Sequence, residues 1–340
     1  MGPRRERILR CWNRTGPDEL PVVHRAGMNT LSFFSLQTLY IAATLVIFIL
    51  VAYGMAYWVR RAAGDRSALI GLYLVLGFPG VLLTLLGLAR LVGGQSSGFS
   101  WLGAGLGLLL PLFPAFRTFF ARFTPMDPES AIDMVGLSIV LAFIGFFVFQ
   151  YALNPEPEDT GDISIAYLLS QFVFMIVLAF VLVGAGQWRS LKGAADRLGL
   201  QRITPRQAGI ALAAVIGGFL VMGIGGALTQ WLQPDFNNEI QQTTEEITKN
   251  VSSVAGAVFF GLGAGASEET LLRGAIQPRY GIWVTSLLFA LLHSQYGISF
   301  VLAGVFCMGV ILGLLRNRIN TTAAILTHAV FNTIVVLIGS

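Results

Sequence analysis

The strongest constraint in this chain is a set of stretches long enough to cross a bilayer without a single acidic residue. Leu39 to Val59 reads LYIAATLVIFILVAYGMAYWV, and Ile163 to Gly186 has the same character. A hydrocarbon core of roughly 30 Å takes about 20 apolar residues per helical span. No soluble core needs helices that are apolar all round over such lengths. Charged residues make up 12% of the 340 and hydrophobic ones 55%, against about 25% charged in soluble domains. The sequence therefore predicts an all-α, polytopic transmembrane bundle of about 8–10 spans, multi-pass in the cell (plasma) membrane, with the lipid bilayer as a partner.

About ten apolar segments meet the length criterion. They run near 37–59, 67–92, 101–123, 131–153, 163–187, 207–232, 251–275, 281–294, 298–315 and 321–339. The third carries Pro111 and Pro114, which predict a kink or a re-entrant turn. Residues 154–162 are acidic and rich in Pro and Gly, a turn outside the bilayer. Residues 233–250 form a longer polar segment with helical character around Glu239 to Lys249. Between the fifth and sixth spans, Leu191, Ala194, Ala195 and Leu198 recur at helical spacing in a basic stretch. That pattern predicts a short helix lying on the membrane, with Pro205 opening the next span.

The net charge of +4 comes from basic clusters between apolar spans rather than from one patch, which argues against a nucleic-acid partner. Arg189, Lys192, Arg197, Arg202 and Arg206 place the 188–207 loop in the cytoplasm. Arg60, Arg61, Arg66, Arg273, Arg279, Arg316 and Arg318 fall on the same side, and the acidic loops on the other. The same alternation puts the N-terminal tail, with six arginines in residues 1–25, on the outside, against the rule. Residues 1–35 read as a polar tail, and the first apolar run starts too late and runs too long for a cleaved signal. Of the two cysteines, Cys11 lies in the tail and Cys307 reads as a small buried apolar residue. Glycine-rich stretches such as 261–267 and 215–226 predict close helix packing.

The informative region is 251–339. Ionisable groups cost about 2.5–3.5 kcal/mol each at a helix centre, so those inside spans mark function by default. Glu269 and Arg273 stand four apart and share a helix face, whereas Glu268 points elsewhere. One carboxylate is then held in a pair while its neighbour stays free for proton transfer. Phe289 and His293 share a second face, and His328 and Asn332 a third. Two polar donors on one apolar helix can meet a developing oxyanion. Each feature taken singly also has a plainer reading, as a structural clamp or a cap. His24 reads as solvated, and Glu245 and Glu246 before Lys249 as a solvated helix face. No spacing pairs Ser267 or Cys307 with a histidine base, and the His-Glu-x-x-His zinc signature is absent.

Glu268-Glu269-x-x-x-Arg273, Phe289-x-x-x-His293 and His328-x-x-x-Asn332, in order on three spans, resemble the motif set of the CPBP family. That family holds the type II CAAX prenyl endopeptidases and the bacteriocin-processing or immunity (ABI) proteins. The likeness extends back to about residue 163, so 161–340 reads as a CPBP-like core and 36–160 as a transmembrane region of unknown role. The resemblance implies a glutamate-type, metal-independent intramembrane endopeptidase without cofactor. It would act on a peptide or protein at the membrane, lipidated or CAAX-type. Glu268 and His293 would activate water, His328 and Asn332 would stabilise the oxyanion, and Glu269, Arg273 and Phe289 would support the site. The alternatives are a non-catalytic scaffold or immunity-type protein, and more weakly a transporter relaying protons.

Overall fold

The computed structural model describes residues 36–154 and 164–339. The N-terminal tail with His24 and Cys11, and the acidic turn beyond Asn154, lie outside the described residues. Within them the chain is helical throughout and forms no strand. Helix α1 (Leu36–Ala62) and α2 (Arg66–Val92) meet at Asp65, whose carboxylate accepts the Ser67 and Ala68 amides at 2.9 and 3.2 Å. This caps the first turn of α2. Helix α3 (Gly98–Leu109) runs through a short 3₁₀ turn (Leu110–Leu112) into α4 (Pro114–Phe120). The two directions differ by 94°, because Pro111 and Pro114 remove two helix donors and restrict the residues before them. The freed carbonyls are not left bare. Buried Arg117 donates to the oxygens of Pro111 (2.7 Å), Leu112 (3.1 Å) and Pro128 (2.6 Å).

The remaining elements are α5 (Ala131–Leu153), α6 (Ile165–Leu182), α7 (Leu191–Leu198), α8 (Pro205–Leu232) and α9 (Pro234–Thr248), then α10 (Val254–Glu269), a π-helical segment (Thr270–Ile276), α11 (Gln277–Leu291), α12 (Phe300–Arg318) and α13 (Thr321–Ile338). Helix α8 opens with Pro205 behind a reciprocal cap between Thr204 and Gln207, which satisfies two orphan donors at once. Among the described residues seven helices are long and apolar enough to cross a membrane, or nine with two bent pairs. Two of the apolar segments, 251–275 and 281–294, run as one helical stretch broken at Gly281, whose φ of 78° no β-carbon residue adopts easily. Helix α9 turns away from that stretch by 109° and exposes Glu245 and Glu246.

Helix contacts depend on glycine. A β-carbon at Gly107 would lie 2.3 Å from the Ala142 nitrogen, and one at Gly103 2.4 Å from the Gly145 oxygen, so α3 rests directly on α5. Gly225 brings α8 against Phe300 in the same way. The main core lies where α5, α8, α11, α12 and α13 converge, around Leu137, Val215, Phe289, Leu312 and Ala324. Helices α1 and α2 instead turn large apolar side chains such as Tyr57 and Phe78 outward, as lipid-facing spans do.

Two expectations change. Helix α7 does not lie on lipid with its apolar face. Ala194 and Leu198 are fully buried against Leu271 and Ala275, and Leu191 is exposed. Cys307 is exposed on α12 rather than buried. The scattered basic clusters also converge at one end of the bundle. Arg60 stacks over Trp188 at 5.3 Å, Tyr53 donates to the Gly186 oxygen, and Arg197 and Arg316 reach the carbonyls of Gly274 and Arg273.

Candidate active site

The site begins with a stripe of small residues. Gly261, Gly265 and Glu269 recur every fourth position and share one face of α10. A β-carbon at Gly261 would stand 2.5 Å from the Ala329 oxygen, and one at Gly265 2.8 Å from the Ala329 nitrogen. The absent side chains let α10 touch the backbone of α13 beside His328. One turn further on, Glu269 meets that histidine, its Oε1 3.0 Å from His328 Nδ1. Its Oε2 lies 3.0 Å from Arg273 Nε, and both members of that ion pair are 0% exposed. Arg273 belongs to the π-helical segment, a helix variant that concentrates at functional positions. Its two terminal nitrogens have no hydrogen-bond partner among the described residues.

The protonation pattern follows from the partners. The Glu269 carboxylate accepts, so His328 carries a proton on Nδ1. The Asn332 amide lies 3.0 Å from His328 Nε2 and donates to it. His293 Nδ1 sits 2.7 Å from the Phe289 carbonyl oxygen, which only accepts. Its proton is therefore on Nδ1, and its Nε2 lone pair stays open. Phe289 stands at the centre: its ring contacts His293 at 4.7 Å, His328 edge-on at 5.6 Å and the Arg273 guanidinium at 5.3 Å.

Glu269, Arg273, Phe289, His293, His328 and Asn332 thus meet in direct contact. Glu268 is half-buried and has no hydrogen-bond or ion-pair partner among the described residues, yet it lies near enough to His328 and Tyr296 to act on both electrostatically. The two adjacent carboxylates are held differently: one is saturated with partners, the other open. The cluster stands roughly 10–16 Å below the start of α13, counting seven to eleven residues at helical rise.

Other participants escaped the sequence reading. Tyr296 stacks on His293 at 6.0 Å, nearly parallel. Tyr151, at the end of α5, donates to the Leu291 oxygen at 2.5 Å and fixes the turn that carries His293. Asp133 on α5 is buried and pairs with Arg279, and Tyr280 donates to its backbone oxygen at 3.1 Å. Gln277 bridges to the Gly313 oxygen and to Asn317, both at 2.9 Å. Asp133 and Arg117 carry the same signal as Glu269, an ionisable residue in an apolar segment, and that criterion finds them when applied to the first half of the chain. Among the described residues no three His, Cys, Asp or Glu side chains gather as a metal-ligand set.

No curated protein and no solved structure matches the chain. A family model does: residues 250–334 match the Type II CAAX prenyl endopeptidase Rce1-like family. That segment opens just before α10 and contains Glu268, Glu269, Arg273, Phe289, His293, His328 and Asn332. The protein is thus an integral, multi-pass membrane protein whose residues 250–334 are similar to the type II CAAX prenyl endopeptidase Rce1-like family.

Proposed function

We propose that the chain is an intramembrane endopeptidase that hydrolyses a peptide bond of a membrane-associated or lipidated, CAAX-type protein, without a metal or other cofactor. The observation that carries the reading is the contrast between Glu268 and Glu269, one open and one fully bound, with Glu268 near Tyr296, the ring that stacks on His293. Glu268 and His293 take the proton of a water as its oxygen attacks the scissile carbonyl. The carbonyl oxygen becomes a tetrahedral oxyanion, met by the second N–H of Asn332, whose first N–H is held by His328 Nε2. Collapse breaks the C–N bond, and the proton taken from water leaves on the new amine. Glu269 and Arg273 hold His328 in register, and Phe289 holds the spacing of the two imidazoles. Residues 161–340 form the catalytic core in this reading, and α5 supports it through Tyr151 and Asp133. The basic end of the bundle faces the cytoplasm, and the plasma membrane is the site of action.

The test uses purified protein in proteoliposomes with a fluorogenic, prenylated CAAX-type peptide. Glu268→Gln and His293→Asn should each lower kcat by about 10²–10⁴, and Asn332→Ala by roughly 10²–10³, with chelator leaving the rate unchanged. Wild-type rates in both Glu268→Gln and His293→Asn would sink the reading. One observation favours a non-catalytic scaffold or immunity-type protein instead: Glu269, Arg273, His328 and Asn332 already form a continuous network joining α10 to α13. On that reading Glu269 and Arg273 govern stability and His293 is dispensable.

A further inference from the structure

At the basic end, four arginines, three from helices and one from the loop before α7, converge around the middle of the π-helical segment. Arg197 of α7 donates to the Gly274 oxygen at 3.3 Å, and Arg316 of α12 donates through Nε to the adjacent Arg273 oxygen at 3.2 Å. Arg189 is fixed on the Val183 oxygen beyond α6, and Arg279 of α11 on Asp133. Space for Arg316 comes from Gly199, where a β-carbon would stand 3.3 Å from the guanidinium carbon. Burial first, then the like charges of Arg279, Arg189 and Arg316, hold the Arg197 guanidinium below its ordinary range, and Asp133 is the carboxylate that opposes them. Asp196, next in sequence, is exposed.

Each guanidinium has five donors in a planar fork, and each is anchored here by one contact. The anchoring fixes orientation without exhausting the donors, and the excess positive charge is uncompensated within the group. Such an arrangement suits a tetrahedral oxyanion bound by several forks at once. Its level in the molecule is set by helix ends. Arg318 closes α12, and Thr321 opens α13 while bonding the Gly199 oxygen at 3.1 Å. Helix ends of spanning segments lie at the headgroup layer, where phosphate is the abundant anion.

We propose that Arg189, Arg197, Arg279 and Arg316 form a phosphate-binding site, occupied by the headgroup of an anionic lipid. The site touches the backbone of Arg273 and Gly274, one turn from Glu269, so its occupancy stiffens the segment that positions the candidate active site. Binding itself does not depend on whether the chain is a peptidase. The experiment is native mass spectrometry of the full chain in detergent with phosphatidylglycerol or phosphatidylcholine, alongside thermal unfolding with inorganic phosphate alone. The wild type should retain phosphatidylglycerol preferentially, and Arg197→Gln with Arg316→Gln should weaken that retention by roughly thirtyfold. The Lys pair at the same positions keeps the charge and loses the planar forks, so it should keep only part of the preference, while its unaltered unfolding temperature shows that folding is intact. Stabilisation by inorganic phosphate, lost in the Gln pair, supports the same site with a soluble ligand as its source. Equal retention of both lipids together with no phosphate effect overturns the proposal. So does an equal loss in Arg202→Gln with Arg206→Gln, which would reduce the preference to general surface charge.

Discussion

Two helix seams in this molecule are built by the same means and differ in what stands at their ends. Between α3 and α5, Gly103, Gly107 and Gly145 remove side chains so that backbones meet at distances no β-carbon tolerates. Between α10 and α13, Gly261 and Gly265 do the same. The first seam is continued by apolar and aromatic residues, as in the stacked Phe99 and Phe149. The second is continued by Glu269 against His328, with Arg273 behind and Asn332 beyond. Close approach is thus a general packing device of membrane helices, and chemistry enters only where the stripe runs into ionisable residues. The comparison also explains how so costly a buried cluster persists: the glycine contacts fix the backbones at a spacing where every carboxylate oxygen of Glu269 finds a partner.

The largest difference between the seams should appear on removing a charge. Arg273→Met leaves Glu269 buried with its main counter-charge gone, and should cost about 3–5 kcal/mol of unfolding free energy in detergent. Ser100→Ala in the α3–α5 seam, where the buried hydroxyl donates to the Gln150 side-chain oxygen at 3.4 Å, should change stability by less than about 1.5 kcal/mol. Similar losses in both would erase the distinction. A smaller effect should follow from filling each seam. Gly265→Ala and Gly107→Ala should each destabilise by roughly 1–3 kcal/mol through overpacking. Only Gly265→Ala should also depress peptidase activity, because it pushes Glu269 away from His328. Equal activity in the two variants breaks the link between helix spacing and the site. The smallest effect serves as a baseline: Thr204→Ala removes the cap of α8 and should cost about 1 kcal/mol, with kcat unchanged.

Much of the fold was legible in the sequence because bilayer thickness converts directly into the length of an apolar run. The bend at Pro111 and Pro114 was legible for a local reason, the missing donors. Glu269 and Arg273 were legible as a pair because four residues along a helix is a short-range relation. What the sequence hid is the partner across the gap. Spacing assigns Glu269 a face but does not say that this face meets His328, 59 residues away. Tyr151 and Tyr296 escaped for the same reason, since a tyrosine at a span end looks like an ordinary interfacial aromatic. Cys307 was misplaced because lipid is as apolar as a protein core, so a lipid-facing residue and a buried one carry the same signature. Helix α7 was misread in the same way: its apolar stripe marks a buried face, and only the structure says that protein covers it.

Glu268, beside the α10–α13 seam, is the residue proposed to drive cleavage of a membrane-associated protein. The most direct measurement is a quantitative comparison of N-terminal and C-terminal peptides from cells carrying wild-type protein, Glu268→Gln, and Glu245→Gln as a control on the exposed face of α9. A defined set of new termini, from membrane-associated proteins, should disappear in Glu268→Gln and persist in Glu245→Gln. Identical terminal peptides in all three, with the variant protein present at wild-type level in the membrane, would contradict it.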